Sequence, residues 1–126
     1  MSEHPPRILV VDDEPSLREL VVVTLGEAYR CDEARDGDEA LALLHERDYD
    51  LVLLDVMLPG RSGLDVLREL RSDERLRDLP VVVMSAWQTE KDVEAARAAG
   101  GTSFLPKPFP IDELVAAVDA LLPRAA

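Results

Sequence analysis

The chain has 126 residues, 47% hydrophobic and 32% charged, with a formal net charge of −12. That length suits one domain around a single core, and that balance excludes a disordered polyelectrolyte. The acidity argues against the chain gripping phosphate backbones, which needs Lys and Arg, so no direct nucleic-acid contact is expected.

Residues 1–5, MSEHP, read as a tail. RILVV (7–11) is continuous and β-branched, as a strand covered on both faces should be. Leu17, Leu20, Val21, Thr24, Leu25 and Ala28 then recur at helical spacing, with Pro15 suited to the first turn and Gly26 near the end. YRCDEA (29–34) is a weaker strand candidate, followed by a helical face of Ala40, Leu41 and Leu44. LVLLDV (51–56) is the second strong strand, and Leu64, Leu67 and Leu70 mark the next helix. PVVVMSA (80–86) is the third. It is followed by TEKDVEAARAAG, a helix anchored mainly by Val93 and alanines, with little large apolar surface to hold it. TSFL (102–105) reads as a short strand, and Ile111, Leu114, Val115, Val118, Leu121 and Leu122 form the cleanest helical stripe. Residues 6–122 therefore make one domain, and 123–126 a tail or the start of a linker.

Five strands alternating with five helices predict an α/β fold, a doubly wound five-stranded parallel sheet with helices on two faces. The longest apolar run is a few residues, far below the ~18 of a membrane span, and the start lacks an apolar signal core. A cytoplasmic chain without membrane contact is expected. Cys31 is alone, which excludes an internal disulfide, and His4 and His45 are too few for a metal site.

In such folds, functional groups gather beyond the carboxyl ends of the strands. The first strand leads into Asp12 and Asp13, the third ends at Asp55, the fourth at Ser85, and the fifth runs into Lys107. Three carboxylates on one edge repel unless a cation joins them, and an all-oxygen donor set suits Mg²⁺, with Mn²⁺ as the alternative. Lys107 stands out because the chain uses 12 arginines and only 2 lysines. A compact ammonium meets a single carboxylate or phosphoryl oxygen in a way a guanidinium fork does not. Asp55 as nucleophile, a cation held by Asp13 and Asp55, and Ser85 and Lys107 reaching equatorial oxygens would together accept a phosphoryl group.

These residues resemble the receiver domain of two-component response regulators over about residues 6–122. The likeness is carried by VVDDE, LLDVMLPGRSG, VVVMSA and GGTSFLPKPF in that order. The resemblance implies the flavodoxin-like strand order 2-1-3-4-5, with Asp55 as phosphoacceptor. It further implies Mg²⁺ ligation by Asp13, Asp55 and the Met57 backbone carbonyl, with Asp12 acting through a water. Lys107 and the Ser85 hydroxyl would contact the phosphoryl oxygens, and Lys107-Pro108 would be cis. Such a domain is a signalling switch rather than an enzyme, although it assists its own phosphoryl transfer and dephosphorylation.

The implied partners are a sensor histidine kinase or histidine phosphotransfer protein, and a downstream protein or output domain reached through the fourth helix, fifth strand and fifth helix. Phosphorylation adds roughly −1.5 to −2 charge, which would draw the Ser85 loop inward, and the resemblance implies that Phe104 then swings into the space left. Met57 and Trp87 occupy positions that in the family flank the path of hydrolytic water. Both are large and mostly apolar, so slow self-dephosphorylation is expected. The paired acids and arginines that drive dimerisation in members fused to winged-helix domains are largely missing, leaving at most a weak homodimer.

Three other readings fit less well. A haloacid-dehalogenase-like phosphatase needs a second acid where Met57 stands. A flavin carrier needs a phosphate loop where DDEPSL is acidic. A binding module that has lost phosphorylation would not be expected to retain every site residue.

Overall fold

The computed structural model describes residues 5–86 and 89–122. Five strands, β1 (Arg7–Val11), β2 (Arg30–Ala34), β3 (Leu51–Asp55), β4 (Val81–Ser85) and β5 (Ser103–Pro106), alternate with five helices. The helices are α1 (Pro15–Leu25), α2 (Gly37–Glu46), α3 (Gly63–Ser72), α4 (Glu90–Ala98) and α5 (Ile111–Leu121). The strands pair in parallel in the order β2-β1-β3-β4-β5, as expected.

Every residue of β3 and of β4 is buried, which explains why neither strand alternates in polarity: both of their faces are covered. Leu9, Val11, Val52, Leu54, Val81 and Val83 belong to one apolar layer, packed with Leu44 of α2, Leu67 of α3 and Ala96 of α4. Ile8, Val10, Leu51, Leu53, Val82 and Met84 belong to the other, against Val21 and Leu25 of α1 and Leu114 and Val118 of α5. The sheet is thus a wall between two cores.

Side-chain caps start three of the helices. Asp36, Ser62 and Thr89 each accept a hydrogen bond from the backbone N–H three residues on, satisfying a donor that a helix start leaves unpaired. α1 begins instead with Pro15, whose missing N–H costs nothing there.

One expected core position is corrected. Leu20 lies 49% exposed, while Leu17, Val21 and Leu25 carry the inner face of α1. The stripe follows the i, i+4, i+8 row, and Leu20 falls beyond its edge. Ala28 packs against the same layer from the turn after α1.

At the amino ends of β4 and β5, Arg71 of α3 stitches two connections together. Its Nε donates to the Gly100 carbonyl at 2.9 Å, and its Nη1 donates to the carbonyls of Arg77 at 3.0 Å and Leu79 at 2.6 Å. Gly100 has φ 107, and a Cβ there would lie 2.6 Å from the Arg71 side chain, so glycine suits both the backbone and the approach. No helix among the described residues is long and apolar enough to cross a membrane.

Candidate functional site

Parallel pairing aligns the carboxyl ends of β1, β3, β4 and β5 along one edge, with Asp55 opposite Met84 and Ser85 opposite Pro106. Asp12 and Asp13 follow β1, Asp55 closes β3, Ser85 closes β4, and Lys107 follows β5. The fold therefore brings together the residues that the sequence placed on this edge.

Asp12 is fully buried and Asp55 is 3% exposed, whereas the neighbouring Asp13 is exposed. Lys107 Nζ donates to Asp12 Oδ2 at 2.7 Å and to Asp55 Oδ2 at 3.2 Å, so one ammonium serves two buried carboxylates. Asp55 Oδ1 accepts the Met57 N–H at 3.0 Å, and Asp12 Oδ1 accepts the Glu14 N–H at 2.9 Å. The Lys107 N–H donates to the Ser85 carbonyl at 2.6 Å, tying the end of β4 to the segment after β5. Lys107-Pro108 is cis, as expected.

Burial pushes the Asp55 carboxyl above its ordinary pKa, the Met57 N–H and the Lys107 charge pull it back, and Asp12 adds to the rise. For Lys107, burial opposes the charge, but its hydrogen bond to Asp12 and the charge of Asp55 outweigh that and hold the ammonium above its ordinary pKa. The site favours a charged lysine facing carboxylates that gain from further positive charge.

One carboxylate oxygen from each of Asp12, Asp13 and Asp55 lies within 4.8 Å of the others, the one such metal-competent group among the described residues. A hard all-oxygen set with one exposed member fits a small divalent cation that keeps part of its water. Met57 reaches Asp55 through its N–H, and its side chain is 60% exposed beside the site.

Ser85 and Phe104 border a common space. Both line a cavity of ≈ 80 Å³ beneath α4, together with Val83, Val93 and Ala96. Arg97 of α4 lies over the Phe104 ring, 5.4 Å from its centroid. Trp87 lies outside the described residues.

Two arginines near these groups had not been singled out by the sequence. Arg18 holds the Asp12 carbonyl, and Arg97 covers Phe104. The sequence signal for either is faint: an arginine five residues after the acidic pair, and one seven before the aromatic.

The profile of the family described as "Response regulator receiver domain" matches residues 8–119. The chain is 45% identical over 122 residues to the probable transcriptional regulatory protein TcrX of Mycobacterium tuberculosis, covering 96% of this chain and 51% of that protein. It is 44% identical over 119 residues to the DNA-binding response regulator MtrA of Mycolicibacterium smegmatis, covering 94% and 51%. Among solved structures, the response regulator TrrA of Thermotoga maritima in complex with Mg(2+)-BeF is 39% identical with a TM-score of 0.81, covering 93% of this chain and 99% of that one. Chemotaxis response regulator CheY4 of Vibrio cholerae is 28% identical with a TM-score of 0.89, covering 94% and 99%.

The chain spans about half the length of the curated relatives it matches. The expectation of no direct nucleic-acid contact is overturned by these relatives, of which MtrA is named as DNA-binding. A net charge of −12 constrains only the residues it counts, and a protein of twice this length can carry its phosphate-binding cations elsewhere.

Proposed function

The chain belongs to the response regulator receiver domain family, and from that premise we propose that it is a phosphorylation-operated switch whose acceptor is Asp55. The donor is a phosphohistidine on a sensor histidine kinase or a histidine phosphotransfer protein. An Asp55 carboxylate oxygen forms the new O–P bond as the P–N bond breaks, and the electron pair of that bond stays with the imidazole nitrogen.

The observation that carries this reading is Lys107 Nζ within hydrogen-bond reach of both Asp12 and Asp55, which gathers three strand ends around one ammonium. Phosphoryl transfer asks a protein for positioning and charge neutralisation more than for covalent chemistry of its own. Asp55 is held for in-line attack by the Met57 N–H on its other oxygen. Lys107 is placed to exchange its carboxylate partner for a phosphoryl oxygen, and the Ser85 hydroxyl to take another.

Asp13, Asp55 and the Met57 carbonyl would hold Mg²⁺, or Mn²⁺, with Asp12 reaching it through water. That ion, when bound, supplies charge neutralisation to the carboxylates and to the incoming phosphoryl oxygens. The domain spans residues 6–122. Ser85 and Phe104 relay the change in charge toward α4, β5 and α5, where a downstream protein or an attached output domain reads it.

Titrating beryllofluoride, a phosphoryl mimic, in the presence of Mg²⁺ tests the reading through the fluorescence of the single tryptophan, Trp87, two residues after Ser85 in sequence. A saturable change that needs Mg²⁺ and vanishes in Asp55→Asn is expected. A response that persists in Asp55→Asn would remove Asp55 from the acceptor role.

A further inference from the structure

Asp12 is bonded at each of its polar atoms. Its N–H donates to the Ala34 carbonyl at 3.1 Å, its Oδ1 accepts from Glu14, and its Oδ2 accepts from Lys107. The remaining atom, its carbonyl oxygen, accepts Arg18 Nη1 at 2.6 Å. Arg18 stands on the second turn of α1, its side chain 15% exposed, and its Nε donates to Glu33 Oε1 on β2 at 3.1 Å. The guanidinium is therefore fixed on both sides, by β2 and by the loop that follows β1.

The Asp12 carbonyl is half of the peptide unit that leads into Asp13, and a peptide is planar. Holding that oxygen sets the plane from which the Asp13 side chain departs. Asp12 itself needs little further restraint, since its carboxylate is already held from two sides. Asp13 is exposed, and its share in the three-carboxylate group depends on the direction its backbone gives it.

We infer that Arg18 is a positioning residue for the divalent-cation site, orienting the Asp12–Asp13 peptide so that the Asp13 carboxylate joins those of Asp12 and Asp55. The inference rests on the cation site proposed above. It opposes a simple electrostatic expectation, because a guanidinium beside an acidic cluster repels a second cation, and its loss should by charge alone tighten binding. Residues that orient metal ligands are commonly worth about ten-fold or more in affinity, and they act in the other direction.

Calorimetric titration of Mg²⁺ into the full chain, with thermal unfolding in parallel, separates the two. Arg18→Met is expected to bind Mg²⁺ about ten-fold more weakly than wild type while keeping a cooperative transition. Arg18→Lys, which retains one donor for the Asp12 carbonyl, is expected to recover part of that loss. Equal or tighter binding by a folded Arg18→Met overturns the inference. If Arg18→Met loses its cooperative transition, Glu33→Ala decides, since it removes the acceptor that holds the outer side of Arg18 at an exposed position: weakened Mg²⁺ binding supports the inference and unchanged binding overturns it. A wild-type chain that takes up no Mg²⁺ overturns this inference and the cation site together, whereas uptake by wild type that is indifferent to residue 18 overturns this inference alone.

Discussion

Arg97 lies over the face of Phe104, 5.4 Å from the ring centroid, joining α4 to β5 above the cavity that Ser85 also lines. A cation over an aromatic face at a half-exposed site stabilises by about 0.5–1 kcal/mol. Arg97→Met keeps the length of the side chain and removes the charge, so it should lower unfolding stability by about that amount. Amide exchange along β5 should quicken, and unaltered exchange at Phe104 would show that the contact restrains nothing.

Asp12 and Asp55 share one ammonium, and burial has already raised the Asp55 pKa. Neutralising one of the two carboxylates removes repulsion and desolvation cost while leaving Lys107 its shorter bond. In chelator, Asp55→Asn should therefore melt higher than wild type, by roughly 2–6 °C for a gain of about 1 kcal/mol. A lower Tm would mean that the Lys107–Asp55 contact outweighs the cost of burial.

Burial, with Asp32 and Glu33 adding to it, pushes the Cys31 thiol up to about 11 from an ordinary 9.0. At pH 8 the thiolate fraction, and with it the rate of alkylation by iodoacetamide, should be ~100-fold lower in the folded chain than in urea. The folded state holds this proton more tightly than the unfolded one. Its contribution to stability is thus complete below about pH 9 and is lost as pH rises through about 11. Cys31→Ser should flatten that part of the stability profile.

Gly63 opens α3 directly against the end of β3, and a Cβ there would sit 2.5 Å from Val56 Cα and press on the Asp55 carbonyl. Backbone cannot yield as a flexible side chain can. Gly63→Ala should cost about 1–3 kcal/mol and should also weaken Mg²⁺ uptake, because the strained segment carries Asp55. A denaturant melt paired with calorimetry measures both.

Met57 is 60% exposed, two residues beyond Asp55, whose Oδ1 accepts its N–H. Replacing it with a side chain that hydrogen-bonds water should speed loss of the phosphoryl group. Met57→Asn is expected to shorten the phosphoryl lifetime several-fold, followed by intact-mass spectrometry after phosphorylation by a small-molecule donor. An equal lifetime would exclude Met57 as the barrier.

The strands of this sheet were legible because burial on both faces leaves a run such as Leu51–Leu54 without polar interruption, and strand ends then pointed to Asp55, Ser85 and Lys107. What the sequence could not say was which of two adjacent aspartates faces inward. Successive residues leave a strand end in opposite directions, and only the packing decides that Asp12 is buried and Asp13 exposed. Leu20 was misplaced for a related reason: helical spacing gives the direction of a stripe, while its edge is set by the elements packed against it. Arg18 and Arg97 escaped notice because arginine is the default cation of this chain, 12 of 14, so nothing in composition marks the two that reach a carbonyl and a ring.

Arg71 directs its short bonds at main-chain carbonyls, of Gly100 and of the residues leading into β4. Carbonyl oxygens are the same whatever side chain they accompany, so exposed positions of the connection before β4, such as Arg77 and Asp78, are free to change without loosening the stitch. This corner lies at the end of the sheet remote from Asp55. Handles, dyes or altered charges introduced at Arg77 or Asp78 should leave the phosphoryl chemistry untouched, which makes it a convenient attachment point for following the switch from outside.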